Sequence, residues 1–158
     1  MTVQEHAHDS ARHNPRPAFT QPRLILYVFL GGALGAAGRL VLELLLPWAK
    51  TGVPWAIVIA NLGGAFILGF LLTALARRGP ETPAQRDWRL FAGTGMMGGF
   101  TTYSSFATDT ATLLGSEPPL AVGYGILGVV LGLVAAALGI WLASIAVPRA
   151  SAPKGATS

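Results

Sequence analysis

The sequence GMMGGFTTYSSF, residues 95–106, places flexible and polar residues inside a long uncharged segment of the chain. It contains three glycines and five consecutive hydroxyl-bearing residues, at positions 101–105. The adjacent Gly98 and Gly99 each weaken a helix by about 1 kcal/mol relative to alanine. An interrupted helix at membrane depth is tolerated only where it is buried in protein or lines a cavity. We therefore predict a transmembrane helix that is broken at Gly98–Gly99 and is either buried in protein or lines a cavity.

The composition of the 158-residue chain is that of a membrane protein with one domain. Hydrophobic residues make up 52% and charged residues 11%, whereas soluble domains are about 25% charged. The absence of cysteine excludes disulfide bonds and thiolate ligands. The net charge of +4 does not indicate nucleic acid as a partner, because the basic residues flank apolar runs instead of forming a face with aromatic residues.

The predicted fold class is an all-α membrane protein with four transmembrane helices, because open strands would leave backbone groups unpaired in lipid. Apolar segments long enough to cross about 30 Å of hydrocarbon are residues 24–46, 54–76 and 90–108, and a span within residues 120–147. Residues 24–147 therefore form one transmembrane domain. The polar tails, 1–23 and 148–158, are predicted to be disordered.

Four spans place both termini and the middle loop on one side of the membrane. The other side carries Lys50, with Asp109 and Glu117. The positive-inside rule then places both termini in the cytoplasm of a multi-pass protein of the cell membrane. The nine basic residues on the side of the termini are Arg12, Arg16, Arg23, Arg77, Arg78, Arg86, Arg89, Arg149 and Lys154.

Small residues four positions apart recur in the spans, and this spacing favours close approach of helix backbones. Four thin-sided helices enclose little space, so a transport pathway is more easily built by a dimer. The small residues at this spacing are Gly31 and Gly35, Gly32 and Ala36, Ala60 and Gly64, Ala65 and Gly69, and Gly128, Gly132 and Ala136.

Polar and aromatic residues at membrane depth indicate a candidate binding site for a small ion. Asn61 lies about 10 Å into the second span at 1.5 Å per residue, where its amide either bonds across helices or faces a watery path. Tyr103 and Phe106 are three positions apart and share one side of a helix. Their electropositive ring edges, together with hydroxyl and amide donors, suit a small anion. The same spacing also suits two packing residues.

Three motifs resemble the Fluc (CrcB) fluoride channels. They are GGFTTYSSF in the third span (residues 98–106), GGALGAAGR in the first (31–39) and NLGGAFILGFL in the second (61–71). Each glycine motif alone is weak, whereas the third-span motif within four spans is specific. The resemblance implies a passive channel that exports toxic fluoride. It also implies a dimer of antiparallel subunits with two narrow pores, each lined by both chains.

The resemblance implies roles for residues along the fluoride pathway. Asn61 would be the pore amide, and Tyr103 and Phe106 would hold the aromatic positions whose ring edges meet fluoride. The polar neighbours on this pathway would be Thr102, Ser104, Ser105 and, from the fourth span, Tyr124.

Further roles that the resemblance implies concern cations. Gly98 and Thr101 would supply backbone carbonyls to a structural sodium ion, not transported, at the centre of the dimer. Arg39 would be a structural or vestibule cation near one membrane face. Alternatively, Arg39 lies at the membrane interface and helps to set the orientation of the chain in the membrane.

The chain departs from the family pattern in three respects. Tyr103 stands where phenylalanine is usual, which adds a hydroxyl group. A fourth-span track of hydroxyl residues is reduced to Tyr124, which is followed at four-residue steps by Gly128, Gly132 and Ala136. The strong bias of basic residues is unlike a chain that inserts in both directions. A homodimer and a heterodimer with an oppositely oriented homologue therefore both remain open.

Two other classes of function are also open. A small proton-coupled exporter of cations needs a carboxylate inside the membrane, and Glu43 is the only acid within a predicted span. A scaffold without transport activity would be favoured by the small-residue pairs. We predict no enzymatic activity, because no acid, histidine and nucleophile can be grouped at one membrane depth.

Overall fold

A computed structural model describes residues 21–49 and 52–150, and this part of the chain is helical without strands. The predicted all-α fold is therefore confirmed. The elements in chain order are α1 (Pro22–Leu45), α2 (Trp55–Arg77), α3 (Pro83–Trp88), a π-helix (Arg89–Met97), α4 (Gly98–Phe100), α5 (Tyr103–Ser116) and α6 (Pro118–Ala146).

Three of these helices, α1, α2 and α6, are long and apolar enough to cross a membrane. They correspond to the predicted spans 24–46 and 54–76 and to the span within 120–147. The predicted span 90–108 is built differently, from the π-helix, α4 and the first part of α5. None of these segments reaches the roughly 20 residues that a membrane-spanning helix needs.

The prediction that the helix breaks at Gly98–Gly99 is wrong in position. Both glycines belong to α4, and the two residues outside a helix are Thr101 (φ −79°, ψ 154°) and Thr102 (φ −149°, ψ 115°). A Cβ on Gly99 would lie within 3.0 Å of the carbonyl oxygen of Gly32. Gly99 therefore permits close approach of two helices, and the backbone leaves the helix only where the threonines begin.

Two helix pairs form the framework: α1 packs along the π-helix and α4, and α2 packs along α6. A Cβ on Gly31 or Gly35 of α1 would come within 3.0 Å of a carbonyl oxygen in the π-helix. The same holds for Gly69 of α2 against α6, and for Gly139 of α6 against α2. The predicted close approach is confirmed at Gly31, Gly35 and Gly69, whereas Gly132 has no neighbour within 4 Å.

Large apolar side chains cover the outer faces of α1 and α6. Phe29 is 68% exposed, Leu44 72% and Leu133 68%. A continuous apolar surface of this kind suits lipid tails or the surface of another chain. The helix pairs therefore bury their small residues and direct their large apolar residues outward.

Backbone contacts hold the C-terminus of α6 against the C-terminus of α2. Arg77 Nε donates to the carbonyl oxygen of Val147 at 2.6 Å, and Ala150 N–H donates to the carbonyl oxygen of Arg77 at 2.9 Å. The predicted disordered tails, 1–23 and 148–158, lie mostly outside the described residues, although positions 22 and 23 belong to α1.

One ion pair connects the start of α1 with the segment that follows α2, and a second lies within that segment. Arg23 pairs with Asp87, and Arg89 pairs with Glu81 at 2.7 Å. The hydrogen bond from Arg89 holds the pKa of the Glu81 carboxyl below its ordinary value. We call this end of the helix bundle, with the start of α1 and the end of α6, the tail end. The opposite end carries residues 46–49 and 52–54, with Glu117.

Replacing Gly35 with alanine is expected to destabilise the protein by about 1–3 kcal/mol. The new Cβ would come within 3.0 Å of the backbone oxygen of Met96, and a backbone atom cannot rotate away as a side chain can. Thermal unfolding of the purified protein in detergent measures the effect. Gly123→Ala is the control, because a Cβ there meets nothing within 4 Å. Equal unfolding midpoints for the two variants would contradict the packing.

Candidate functional site

The side chain of Asn61 pairs with the backbone of Thr102, which lies outside the helices. Asn61 Oδ1 accepts from the N–H of Thr102 at 2.8 Å, and Asn61 Nδ2 donates to the carbonyl oxygen of Thr102 at 3.1 Å. Both backbone groups of Thr102 are therefore satisfied although neither takes part in a helix. Of the two interpretations of Asn61 from the sequence, bonding across helices is the one that the structure shows directly.

The hydroxyl groups after the interruption start the next helix. Thr102 Oγ1 accepts from the N–H of Ser105 at 3.1 Å and so caps α5. It also lies 3.1 Å from Ser104 Oγ and donates to Ser105 Oγ at 3.1 Å. Thr101 Oγ1 donates back to the carbonyl oxygen of Met97 at 2.9 Å. The run of hydroxyl residues therefore holds both ends of the non-helical segment.

Backbone carbonyls at the interruption, among them those of Gly98 and Thr101, lose their helical donors. A continuous helix would direct the N–H of Thr102 at the carbonyl of Gly98, but that N–H binds Asn61. It would likewise direct the N–H of Ser105 at the carbonyl of Thr101, but that N–H binds Thr102 Oγ1. Carbonyls of an unwound helix, and those at the C-terminus of a half-helix, are suitable ligands for Na⁺.

Side-chain clusters offer no other metal site in the described ranges. No group of three or more His, Cys, Asp or Glu residues within them could hold a metal ion. Backbone carbonyl oxygens, such as those of Gly98 and Thr101 that the sequence comparison assigned to sodium, suit a hard monovalent cation better than a transition metal.

An open groove of about 350 Å³ brings most of the predicted pathway residues together beside α2 and α6. Its polar and aromatic lining combines amide, hydroxyl and ring-edge donors, and the whole lining contains no lysine or arginine. The residues of the predicted site that line the groove are Asn61, Thr101, Thr102, Tyr103 and Phe106.

The aromatic side chains form a short row along this groove. The ring centroids of Tyr103 and Phe106 are 6.5 Å apart at an interplanar angle of 44°, and those of Phe106 and Tyr124 are 4.9 Å apart at 40°. A Cβ on Gly128 would lie within 3.0 Å of the Phe106 ring. This glycine, which interrupts the expected hydroxyl track, therefore makes room for the aromatic ring.

Burial differs strongly along the row of rings. Tyr103 is 81% exposed, whereas Tyr124 is 6% exposed. The hydroxyl of Tyr124 has no hydrogen-bond partner in the described part of the chain. A buried hydroxyl without a protein partner is usually satisfied by water or an ion. The inner ring, Tyr124, thus has an unpaired hydroxyl group, and the outer ring, Tyr103, is largely exposed.

A second cavity of about 250 Å³ lies toward the opposite end from the tails and is lined in part by Glu43, Ser105 and Asp109. Arg39 Nη1 donates to Glu43 Oε1 at 2.7 Å, within α1. Sequence analysis counted Asp109 only as a surface charge. Its spacing of four residues from Ser105 on one helix is the signal that places it beside the hydroxyl run.

Comparison with known proteins identifies the family. A model of the family described as "CrcB-like protein, Camphor Resistance (CrcB)" matches residues 26–140. The chain is 46% identical over 117 residues to the fluoride-specific ion channel FluC 2 of Leifsonia xyli, covering 74% of this chain and 78% of that protein.

Two further relatives carry the same description. Identity to the fluoride-specific ion channel FluC of Deinococcus radiodurans is 44% over 119 residues, covering 73% of this chain and 91% of the relative. Identity to the fluoride-specific ion channel FluC of Opitutus terrae is 37% over 134 residues, covering 84% and 98%. The resemblance seen in the three motifs is thereby confirmed: the chain belongs to the Fluc (CrcB) family of ion channels and is not an enzyme.

Proposed function

We propose that this chain conducts fluoride passively out of the cytoplasm and so reduces fluoride toxicity. The observation that carries the proposal is the groove beside the non-helical segment, which joins Asn61 and Thr102 with the rings of Tyr103 and Phe106. The proposed pathway consists of Asn61, Thr102, Tyr103, Ser104, Ser105, Phe106 and Tyr124.

The chemistry of the groove suits a small anion that binds weakly enough to leave the groove again. Aromatic ring edges carry partial positive charge, and amide and hydroxyl groups supply hydrogen-bond donors. No fixed cation lines the groove, so binding relies on weak, repeated contacts. Conduction requires binding of this strength, favourable enough for entry and weak enough for exit.

A second chain completes the pathway in this proposal. The groove is open, and the Tyr103 ring is 81% exposed, so one chain does not enclose an ion. An antiparallel partner that covers Tyr103 would close the groove, and the two chains together would form two pores. The bias of basic residues toward the tail end supports a heterodimer with an oppositely oriented homologue, and a homodimer is the alternative.

A structural sodium ion is part of the proposal. The carbonyls of Gly98 and Thr101 lack helical donors because Asn61 and Thr102 Oγ1 take the N–H groups that would reach them. Two antiparallel chains would bring two such pairs together and give a hard cation four oxygen ligands. The ion would hold the interruptions of the two chains against each other and would not be transported.

The alternative of a proton-coupled cation exporter has less support. That mechanism needs a membrane carboxylate free to exchange protons with substrate. Glu43 accepts a hydrogen bond from Arg39 at 2.7 Å, which ties its charge to a fixed cation. A scaffold without transport leaves the open groove and its polar lining without a role.

Fluoride efflux from liposomes tests the proposal. Vesicles loaded with sodium fluoride and containing the purified protein, alone or mixed with a homologous partner, should release fluoride to an ion-selective electrode, whereas matched vesicles loaded with sodium chloride should retain chloride. Release by the protein alone indicates a homodimer, and release only from the mixture indicates a heterodimer. The absence of fluoride release from both preparations would refute the proposed function.

Tyr103→Ile and Phe106→Ile are each expected to slow fluoride efflux by about fivefold, because an aromatic contact is worth roughly 1 kcal/mol. Phe29→Ile is the matched control, since Phe29 is 68% exposed on α1 and lies outside the groove. Rates are compared at equal amounts of folded protein per vesicle. If the three variants have equal rates, the rings are packing residues and do not contact the ion.

Asn61→Leu is expected to abolish efflux and lower the unfolding midpoint. The change leaves the N–H and the carbonyl of Thr102 unpaired, at a cost of about 1–3 kcal/mol for each group. Asn61→Asp keeps an acceptor for the N–H but loses the donor to the carbonyl, so its stability should lie between those of Asn61→Leu and the native protein. If Asn61→Leu has the stability and the fluoride flux of the native protein, the two hydrogen bonds between Asn61 and Thr102 are dispensable.

Removal of sodium tests the proposed cation. Protein dialysed into a potassium or N-methylglucamine buffer of equal ionic strength should unfold at a lower temperature and release fluoride more slowly, because an ion that binds only the folded state stabilises it. Return of sodium should restore both properties. Identical unfolding midpoints and rates in the three buffers would exclude a structural sodium ion.

A further inference from the structure

The second cavity continues from the groove toward the opposite end from the tails. Ser105 lines this cavity, and its hydroxyl bonds to Thr102, which lines the groove. On α2 the groove is lined by Asn61 and the cavity by Ile57, one helical turn away. The cavity therefore lies at one mouth of the proposed pathway.

Four charged groups lie near this mouth in the described part of the chain. Arg39 and Glu43 come from α1, Asp109 comes from α5, and Glu117 bonds to the N–H of Gly52. Arg39 is the only cation among them, and its side chain is 26% exposed. Its Nε is buried and has no partner in this part of the chain.

An uncompensated arginine at this place would hinder conduction. The guanidinium group carries five N–H donors and is always charged. Charge-assisted hydrogen bonds are roughly twice as strong as neutral ones, so fluoride arriving from the weak contacts of the groove would be held at the guanidinium. An ion that is held too strongly leaves too slowly for conduction.

Glu43 counters this effect through its position one turn along α1. The Oε1 atom of Glu43 accepts from Arg39 Nη1 at 2.7 Å, and the Glu43 side chain is also part of the cavity wall. Of the two paired side chains, Glu43 lines the cavity and Arg39 does not. It occupies a donor of Arg39 and cancels the charge that a passing anion would meet.

We infer that Glu43 is a positioning residue of the ion pathway, which neutralises Arg39 at the mouth so that fluoride is not trapped there. This inference rests on the proposed fluoride conduction. It gives Glu43 a function that differs both from proton exchange and from simple support of α1.

The test is the dependence of efflux rate on fluoride concentration in the reconstituted protein. Glu43→Gln should lower the half-saturating fluoride concentration by about tenfold, the effect of one additional charged hydrogen bond. It should also lower the maximal rate and let chloride compete. The double variant Arg39→Gln with Glu43→Gln should return half-saturation to the native value. Glu43→Asp, which keeps the charge, should lie near the native protein.

The outcomes separate the inference from the proposed function. If the native protein releases no fluoride, either alone or with a partner, both the proposed function and the inference about Glu43 are refuted. Native flux with unchanged half-saturation in Glu43→Gln overturns the inference alone. A merely structural role is shown if Glu43→Gln lowers the unfolding midpoint and the amount of active protein without changing half-saturation. If Glu43→Gln does not fold, the double variant alone decides. A half-saturating fluoride concentration that differs from the native value in the double variant then overturns the inference.

Discussion

The pair of hydrogen bonds between the Asn61 side chain and the Thr102 backbone is the interaction on which the site depends. A backbone segment that leaves a helix at membrane depth must find new partners for its N–H and carbonyl groups. One amide side chain on α2 supplies both partners for Thr102, at 2.8 and 3.1 Å. The same bonds withdraw the N–H that would otherwise cover the Gly98 carbonyl. Asn61 therefore stabilises the interruption and also keeps carbonyl oxygen available for other ligands.

Glycine packing explains why the interruption lies inside the protein. Close contact of α1 with the π-helix and α4, through Gly35 and Gly99, fixes the segment that comes before it. Contact of α5 with α6, where Gly128 receives the Phe106 ring, fixes the segment that follows. The non-helical residues are thus held from both sides, and the Tyr103 ring remains exposed. The groove beside these residues is open, which is the observation behind the proposal that a second chain completes the pathway.

Much of the fold follows from the sequence, since three apolar runs of helical length and small residues at four-residue spacing dictate spans and close packing. The family also follows, because the third-span motif is specific. Of the predicted pathway residues, Asn61, Thr102, Tyr103 and Phe106 line the groove, whereas Ser104, Ser105 and Tyr124 are not in its lining. The position of the interruption did not follow from helix propensity. Gly98 and Gly99 are intrinsically poor helix formers, but Gly99 is required by packing, and the helix ends where Thr101 precedes a capping threonine. Asp109 was missed because its place beside the site depends on how α5 leaves the interruption.

Magic-angle-spinning NMR of the protein in lipid tests the central claim most directly. Backbone chemical shifts report whether Thr101 and Thr102 are helical, and nitrogen–carbon distance measurements report whether Asn61 Nδ2 lies beside the carbonyl of Thr102. The account predicts extended shifts at both threonines, helical shifts at Gly98 and Gly99, and a contact between the Asn61 amide and Thr102. Helical shifts throughout residues 98–106, with no contact to Asn61, would contradict it.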